Sequence, residues 1–122
     1  TSLRAWLAQR DVKVLIIDPF RNAHALDEND PTEMARVMSA ISKLGCAVFL
    51  IHHVNKSAGE SRGSTAIRDA TDAALNLKKR DQRLVIQWEK KPRFQDVRDE
   101  IEITFVGGPS SMQIRRLDSR PE

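Results

Sequence analysis

The sequence predicts an α/β fold, a parallel βαβ core followed by antiparallel C-terminal hairpins, within a single domain spanning residues 1–122. Three observations predict it. Val14–Ile17 and Cys46–Ile51 are unbroken apolar runs of the kind seen in strands buried on both faces of a parallel sheet. A capped amphipathic helix lies between them, and its short connections imply parallel strands with a right-handed crossover. From residue 83 onward the apolar period changes to two, the mark of antiparallel strands with one wet face.

Taken in order, Leu3, Trp6 and Leu7 share one helical face within residues 1–10. The chain begins with Thr inside what reads as the last turns of a helix, which suggests a start in mid-domain. The strand Val14–Ile17 ends on Asp18, and Pro19 stops it at once. In open α/β sheets ligands bind at the carboxyl ends of strands, and a carboxylate there suits a phosphate-bound Mg²⁺, directly or through water. The competing reading is an Asp that merely starts a loop. Arg21–Asn29 reads as a polar loop, and its His24 as a solvated side chain without a role.

Asp30-Pro31-Thr32-Glu33 has the form of a helix start, with Asp30 as cap, Pro31 at the first helical position and Glu33 at the third. Met34, Val37, Met38, Ile41 and Leu44 follow at helical spacing, and Gly45 supplies the stop. That stripe is core packing. After the second strand come His52-His53-Val54-Asn55-Lys56. Successive strand residues point to opposite faces, which argues against both histidines holding one metal. One His, with Asn55 or Lys56, is expected to reach toward whatever Asp18 faces. Ser57–Ser64, with Gly59, Gly63 and Arg62, reads as a mobile basic loop or a solvated one. Ser64 then caps a short helix through Asp72, with Arg68 and Asp72 placed to pair. Ala74–Leu77 reads as a short third strand before a charged turn, Lys78–Gln82. Leu84, Ile86 and Trp88, then Ile101, Ile103 and Phe105, then Met112 and Ile114 mark the alternating strands. Residues 118–122 look frayed.

Composition narrows the function classes. Charged residues are 30% of the chain, and no apolar run approaches the ~20 residues of a membrane span. The single Cys46 excludes a disulfide scaffold and points to a reducing, cytoplasmic setting. A net charge of +3 does not by itself argue for nucleic acid, so the location of the positive charges matters more.

Together these motifs resemble the C-terminal half of a RecA-like ATPase core, closest to the RepA- and DnaB-type hexameric replicative helicases and the RepA-like AAA family. Val14-Leu15-Ile16-Ile17-Asp18-Pro19 is similar to their Walker B strand. In the same comparison His53 falls on the phosphate-sensor position, and Asn55 matches an Asn shared by DnaB-type sequences. Arg62–Asp72 is similar to the segment after the DNA-facing loop. Lys91-Pro92-Arg93 resembles the Lys-x-Arg finger that reaches the nucleotide of a neighbouring subunit. The likeness spans about residues 10–117 and implies a partial P-loop NTPase fold. It implies Asp18, His53, Lys91 and Arg93 as catalytic residues, and Asp18, His53 and Asn55 around ATP and Mg²⁺. The likeness further implies a hexamer for an intact parent, while the edge left where Val12–Ile17 lacks an expected neighbour should pair the isolated chain as a dimer. Apart from the likeness, Lys56, Arg62 and Arg68, gathered near two glycines, are expected to contact single-stranded nucleic acid such as DNA through its phosphates.

One departure is large. No G-x-x-x-x-G-K-[ST] occurs in the 122 residues, so the P-loop is expected upstream of residue 1. The expected activity is therefore that of a helicase-type ATPase's Walker B, sensor and finger portion, not competent alone. The alternative is a non-enzymatic nucleic-acid-binding or self-associating domain of the same ancestry.

Overall fold

A computed structural model describes residues 2–53, 62–93, 100–108 and 111–117, with backbone alone at 62–64, 108, 111, 112, 115 and 117. The chain forms two compact units, Thr1–Ala70 and Thr71–Glu122.

The first unit is built on a parallel pair, β1 (Val14–Ile17) and β2 (Ala47–Leu50), with Val14 opposite Ala47 and Ile17 opposite Leu50. Among the described residues three α-helices belong to the same unit: α1 (Leu3–Gln9), α2 (Pro31–Ser42) and α3 (Arg62–Ala70). Ser2 caps α1 by accepting from the Ala5 N–H. Leu7 anchors that helix at 2% exposure, while the Arg10 guanidinium lies 4.2 Å from the centre of the Trp6 ring. The core gathers Phe20, Met34, Met38 and Ile67, with Ile17, Val37, Ile41, Leu50 and Ala66 packed against it. Met34, Met38 and Val37 come from the stripe expected of α2, whereas Phe20 comes from the 3₁₀ turn Phe20–Ala23.

Asp30 caps α2 as expected, accepting from Thr32 N–H (2.8 Å) and Glu33 N–H (3.2 Å). The Glu33 carboxylate instead reaches past the cap and accepts from Asp27 N–H at 2.7 Å. It thereby folds the preceding loop onto the helix start. Gly45, beyond the C-cap Lys43, adopts a φ of 81°, where a side chain would be strained. Replacing Asp30 with Ala is expected to cost about 1 kcal/mol, since two helix-end donors lose their acceptor and a favourable charge leaves the N-terminus. Urea titration followed by circular dichroism would check it.

The second unit is one antiparallel sheet in the order β3-β4-β5-β6, with β3 Ala74–Arg80, β4 Arg83–Lys90, β5 Glu100–Gly108 and β6 Ser111–Leu117. The turn between β3 and β4 shrinks to Asp81–Gln82, with Arg80 opposite Arg83 and Asp81 at a φ of 55°. One face carries Leu75 opposite Trp88, Leu77 opposite Ile86, Leu84 opposite Ile103 and Phe105 opposite Ile114. The other face carries Arg80, Arg83, Glu100 and Glu102, joined by ion pairs of 3.2 to 3.6 Å, and Gln87 donates to Glu100 at 2.6 Å. Val85, opposite Glu102, sits amid this polar set and is fully buried.

Several expectations change in detail. Ala74–Leu77 is the start of a seven-residue strand paired antiparallel to β4, because the hairpin continues through the charged residues expected to turn. Helix α3 begins at Arg62 and ends at Ala70, so Ser64 lies within it and Asp72 beyond it. The parallel strands are not buried on both faces. Ile16 is 64% and Phe49 62% exposed, and Val14 and Ile51 lie on the same open side. Among the described residues, no helix is long and apolar enough to cross a membrane.

Candidate functional site at the carboxyl edge of the parallel pair

Along β1 and just past it, exposure alternates without a break. Val14, Ile16 and Asp18 are exposed, while Leu15, Ile17 and Pro19 are partly covered. The second strand keeps the same rhythm: Ala47, Phe49, Ile51 and His53 are exposed, and Val48, Leu50 and His52 are partly covered. The hydrogen-bond ladder also runs beyond the strands. Ile51 N–H donates to Ile17 C=O at 3.0 Å, and Phe20 N–H donates to Ile51 C=O at 2.8 Å. This continued register sets Asp18 beside Ile51. The alternation of exposure then leaves both Asp18 and His53 open at the carboxyl edge.

His52 takes the covered side. Its Nε2 lies 3.5 Å from one oxygen of Glu28, whose other oxygen lies 3.4 Å from His24 Nε2. Phe20 forms the floor, its ring centre 4.7 Å from that of His24 and 6.0 Å from that of His52. The side chains of His24, Glu28 and His52 are only 7%, 23% and 19% exposed. Neither ring nitrogen of His24 makes a hydrogen bond, nor do Glu28 Oε1 and His52 Nε2. The two contacts fall short of hydrogen-bond geometry and are ion pairs only where the imidazoles are protonated. His24 is thus not the solvated loop residue that its polar surroundings suggest. The available sequence signal is the four-residue interval from His24 to Glu28, together with the strand alternation that turns His52 inward.

The remaining site residues are distributed as follows. Lys91 and Arg93 lie just past β4 in the second unit, and both are exposed. Arg68 lies in the last turn of α3. Arg62 opens that helix, but its side chain lies outside the described residues, as do Asn55 and Lys56 entirely. None of the expected site residues lines the shallow groove between α2 and α3, which is bordered by Ala35, Met38, Ser39, Ala66 and Asp69.

Chemically, an open carboxylate at a strand end offers hard oxygen donors suited to Mg²⁺ through water. Among the described residues, no group of three or more His, Cys, Asp and Glu side chains is arranged to hold a metal ion. An ion at Asp18 would therefore depend on phosphate oxygens and water for its other ligands. Neither Asp18 nor His53 offers the run of backbone N–H groups that grips the α- and β-phosphates of a nucleotide.

Residues 1–59 match the model of a family described as AAA domain. No curated protein and no solved structure matches the chain.

Proposed function

We propose that this chain, whose residues 1–59 match the model of an AAA domain, supplies the Walker B, phosphate-sensor and finger groups of a RepA-type, RecA-like ATPase with ATP-dependent DNA helicase as the parent activity. Asp18 organises Mg²⁺, directly or through water, and His53 senses the γ-phosphate of a nucleotide in the same subunit. Asn55 lies near that phosphate. Lys91 and Arg93 neutralise charge on the nucleotide of the next subunit, a task for which a guanidinium is suited. Lys56, Arg62 and Arg68 contact single-stranded DNA through phosphates, so that binding is non-selective in sequence and salt-sensitive. The intact parent would be a hexamer. The observation that supports the reading is the joint exposure of Asp18 and His53 at the carboxyl edge of a parallel pair.

The nucleotide itself needs more than these groups. Residues 1–122 contain no P-loop motif, and the backbone donors and Lys of such a loop hold most of the triphosphate. The chain alone is therefore expected to bind ATP–Mg²⁺ negligibly and to release no phosphate. Titration calorimetry with ATP and Mg²⁺, paired with a phosphate-release assay, tests this. Tight binding by residues 1–122 would overturn the division of labour proposed.

A second reading is a self-associating or nucleic-acid-binding module, the isolated chain pairing as a dimer. What favours association is the apolar surface left open on both sheets: Ile16 and Phe49 on the first, Leu77 and Ile114 on the second. Under this reading sedimentation finds a dimer, and the Asp18→Asn variant behaves as the parent chain does in every assay.

A further inference from the structure

We propose that Glu28 is a positioning residue for His53: by holding His52 on the covered side of the β2 terminus, it fixes the neighbouring His53 in its exposed position at the carboxyl edge. The inference rests on the reading of His53 as the phosphate-sensing group. Its geometric half stands independently of that reading.

Past Ile51 the backbone has left the strand ladder. The last rung is the bond from Phe20 N–H to Ile51 C=O, and residues 51–53 have no regular structure. The direction of His53 therefore depends on what restrains the residue before it. His52 is restrained from two directions, by the Phe20 ring and by the Glu28 carboxylate. Glu28 is in turn fixed by His24, whose imidazole is 93% covered and packed on the same Phe20 ring. The restraint thus runs from the buried Phe20, through the His24–Glu28 pair, to His52, and by chain alternation to His53. His53 is exposed and belongs to none of these contacts.

The residues around the carboxylate suggest a purpose beyond packing. A glutamate in a loop ordinarily keeps its head in water. This one turns inward, with each oxygen beside a different imidazole, and neither contact reaches hydrogen-bond geometry. Where the imidazoles are protonated, a hold of that kind depends on the carboxylate's charge more than on its shape. Glu28→Gln, which keeps the volume and removes the charge, should therefore release His52 nearly as well as Glu28→Ala.

The test uses the chain with ¹⁵N-labelled histidine, which gives separate ring signals for its three histidines. In both variants the His24 and His52 signals should move. The His53 signal, from a ring with no contact to residue 28, should also move and broaden as its orientation is freed. An unmoved His53 signal beside shifted His24 and His52 signals would overturn the proposal and reduce Glu28 to a local ion pair. Where Glu28→Ala disturbs the fold, the volume-conserving Glu28→Gln decides. In an assembly containing a P-loop half, Glu28→Gln should lower kcat roughly tenfold or more, as small misplacements of catalytic groups do. The KM for ATP should stay within about twofold, since positioning acts on the reacting phosphate and not on uniform binding. His53→Ala should fall in the same direction. If His53→Ala leaves kcat untouched while the ring signals behave as expected, the sensor reading fails and the positioning geometry survives.

Discussion

In an assembly that carries a P-loop half, Arg93→Ala is expected to keep nucleotide binding and to slow hydrolysis by about 10³–10⁵-fold. The transferring phosphoryl group spreads its charge over peripheral oxygens, and a guanidinium from the neighbouring subunit stabilises that charge mainly in the transition state. Such an interaction contributes to kcat and little to ground-state affinity. Arg93 is exposed just past a strand end, so its removal leaves no buried charge unpaired and the fold is expected to persist. Asp18→Asn should abolish turnover by another route. The amide keeps the shape of the side chain, but it loses the charge that, in the proposed role, would organise Mg²⁺ and its waters. Single-turnover phosphate release and nucleotide titration separate the two: Arg93→Ala loses rate, and Asp18→Asn loses metal-dependent chemistry.

The second large effect is on stability. Phe20→Ala should destabilise the first unit by roughly 3–5 kcal/mol, the range for deleting a buried aromatic. Phe20 has no exposed surface, packs with Met34, Met38 and Ile67, and supports both His24 and His52. A loss of that size is comparable to the whole stability of a small domain, about 5–15 kcal/mol, so much of the unit should be unfolded at ambient temperature. Phe49→Ala provides the contrast. Phe49 is the same residue type inside a strand, yet 62% exposed, and its loss should change stability by only about 0.5 kcal/mol. Urea midpoints for the two variants settle the comparison. Equal costs would mean that the open face of the parallel pair is covered in solution.

Much of the fold was legible because periodicity and capping are local signals. Asp30, Pro31 and Gly45 marked the bounds of α2, and the period-two run from Leu84 to Trp88 announced the antiparallel sheet. Burial was harder to read. The run Val14–Ile17 is apolar at every position, and such a run suits a strand covered on both faces equally well with either cover present or absent. Nothing local to Ile16 reports that its side of the sheet is open. Phe20 falls between the first strand and the polar loop Arg21–Asn29, with no periodic signal of its own, yet it forms the centre of the core because a hydrogen bond pins its backbone to Ile51.

The site divides along the same line. The exposed positions of Asp18 and His53 past the strand ends followed from the apolar runs before them, and the alternation that separates His52 from His53 was visible beforehand. The partnership of Glu28 with both His24 and His52 was not, since it joins residues 24 positions apart (28 to 52) and depends on how the loop after β1 folds back. Long-range contacts of this kind leave no periodic trace in the chain.

The central claim is that the Asp18–His53 edge serves a nucleotide within one subunit while Arg93 serves the next. Mixing Arg93→Ala subunits with Asp18→Asn subunits, each carrying the P-loop half, tests it most directly. A mixed ring contains some interfaces with both sides intact, so phosphate release should recover to a measurable fraction of the wild-type rate although each variant alone is inactive. No recovery at any mixing ratio, with mixed assembly confirmed by mass, would contradict the account.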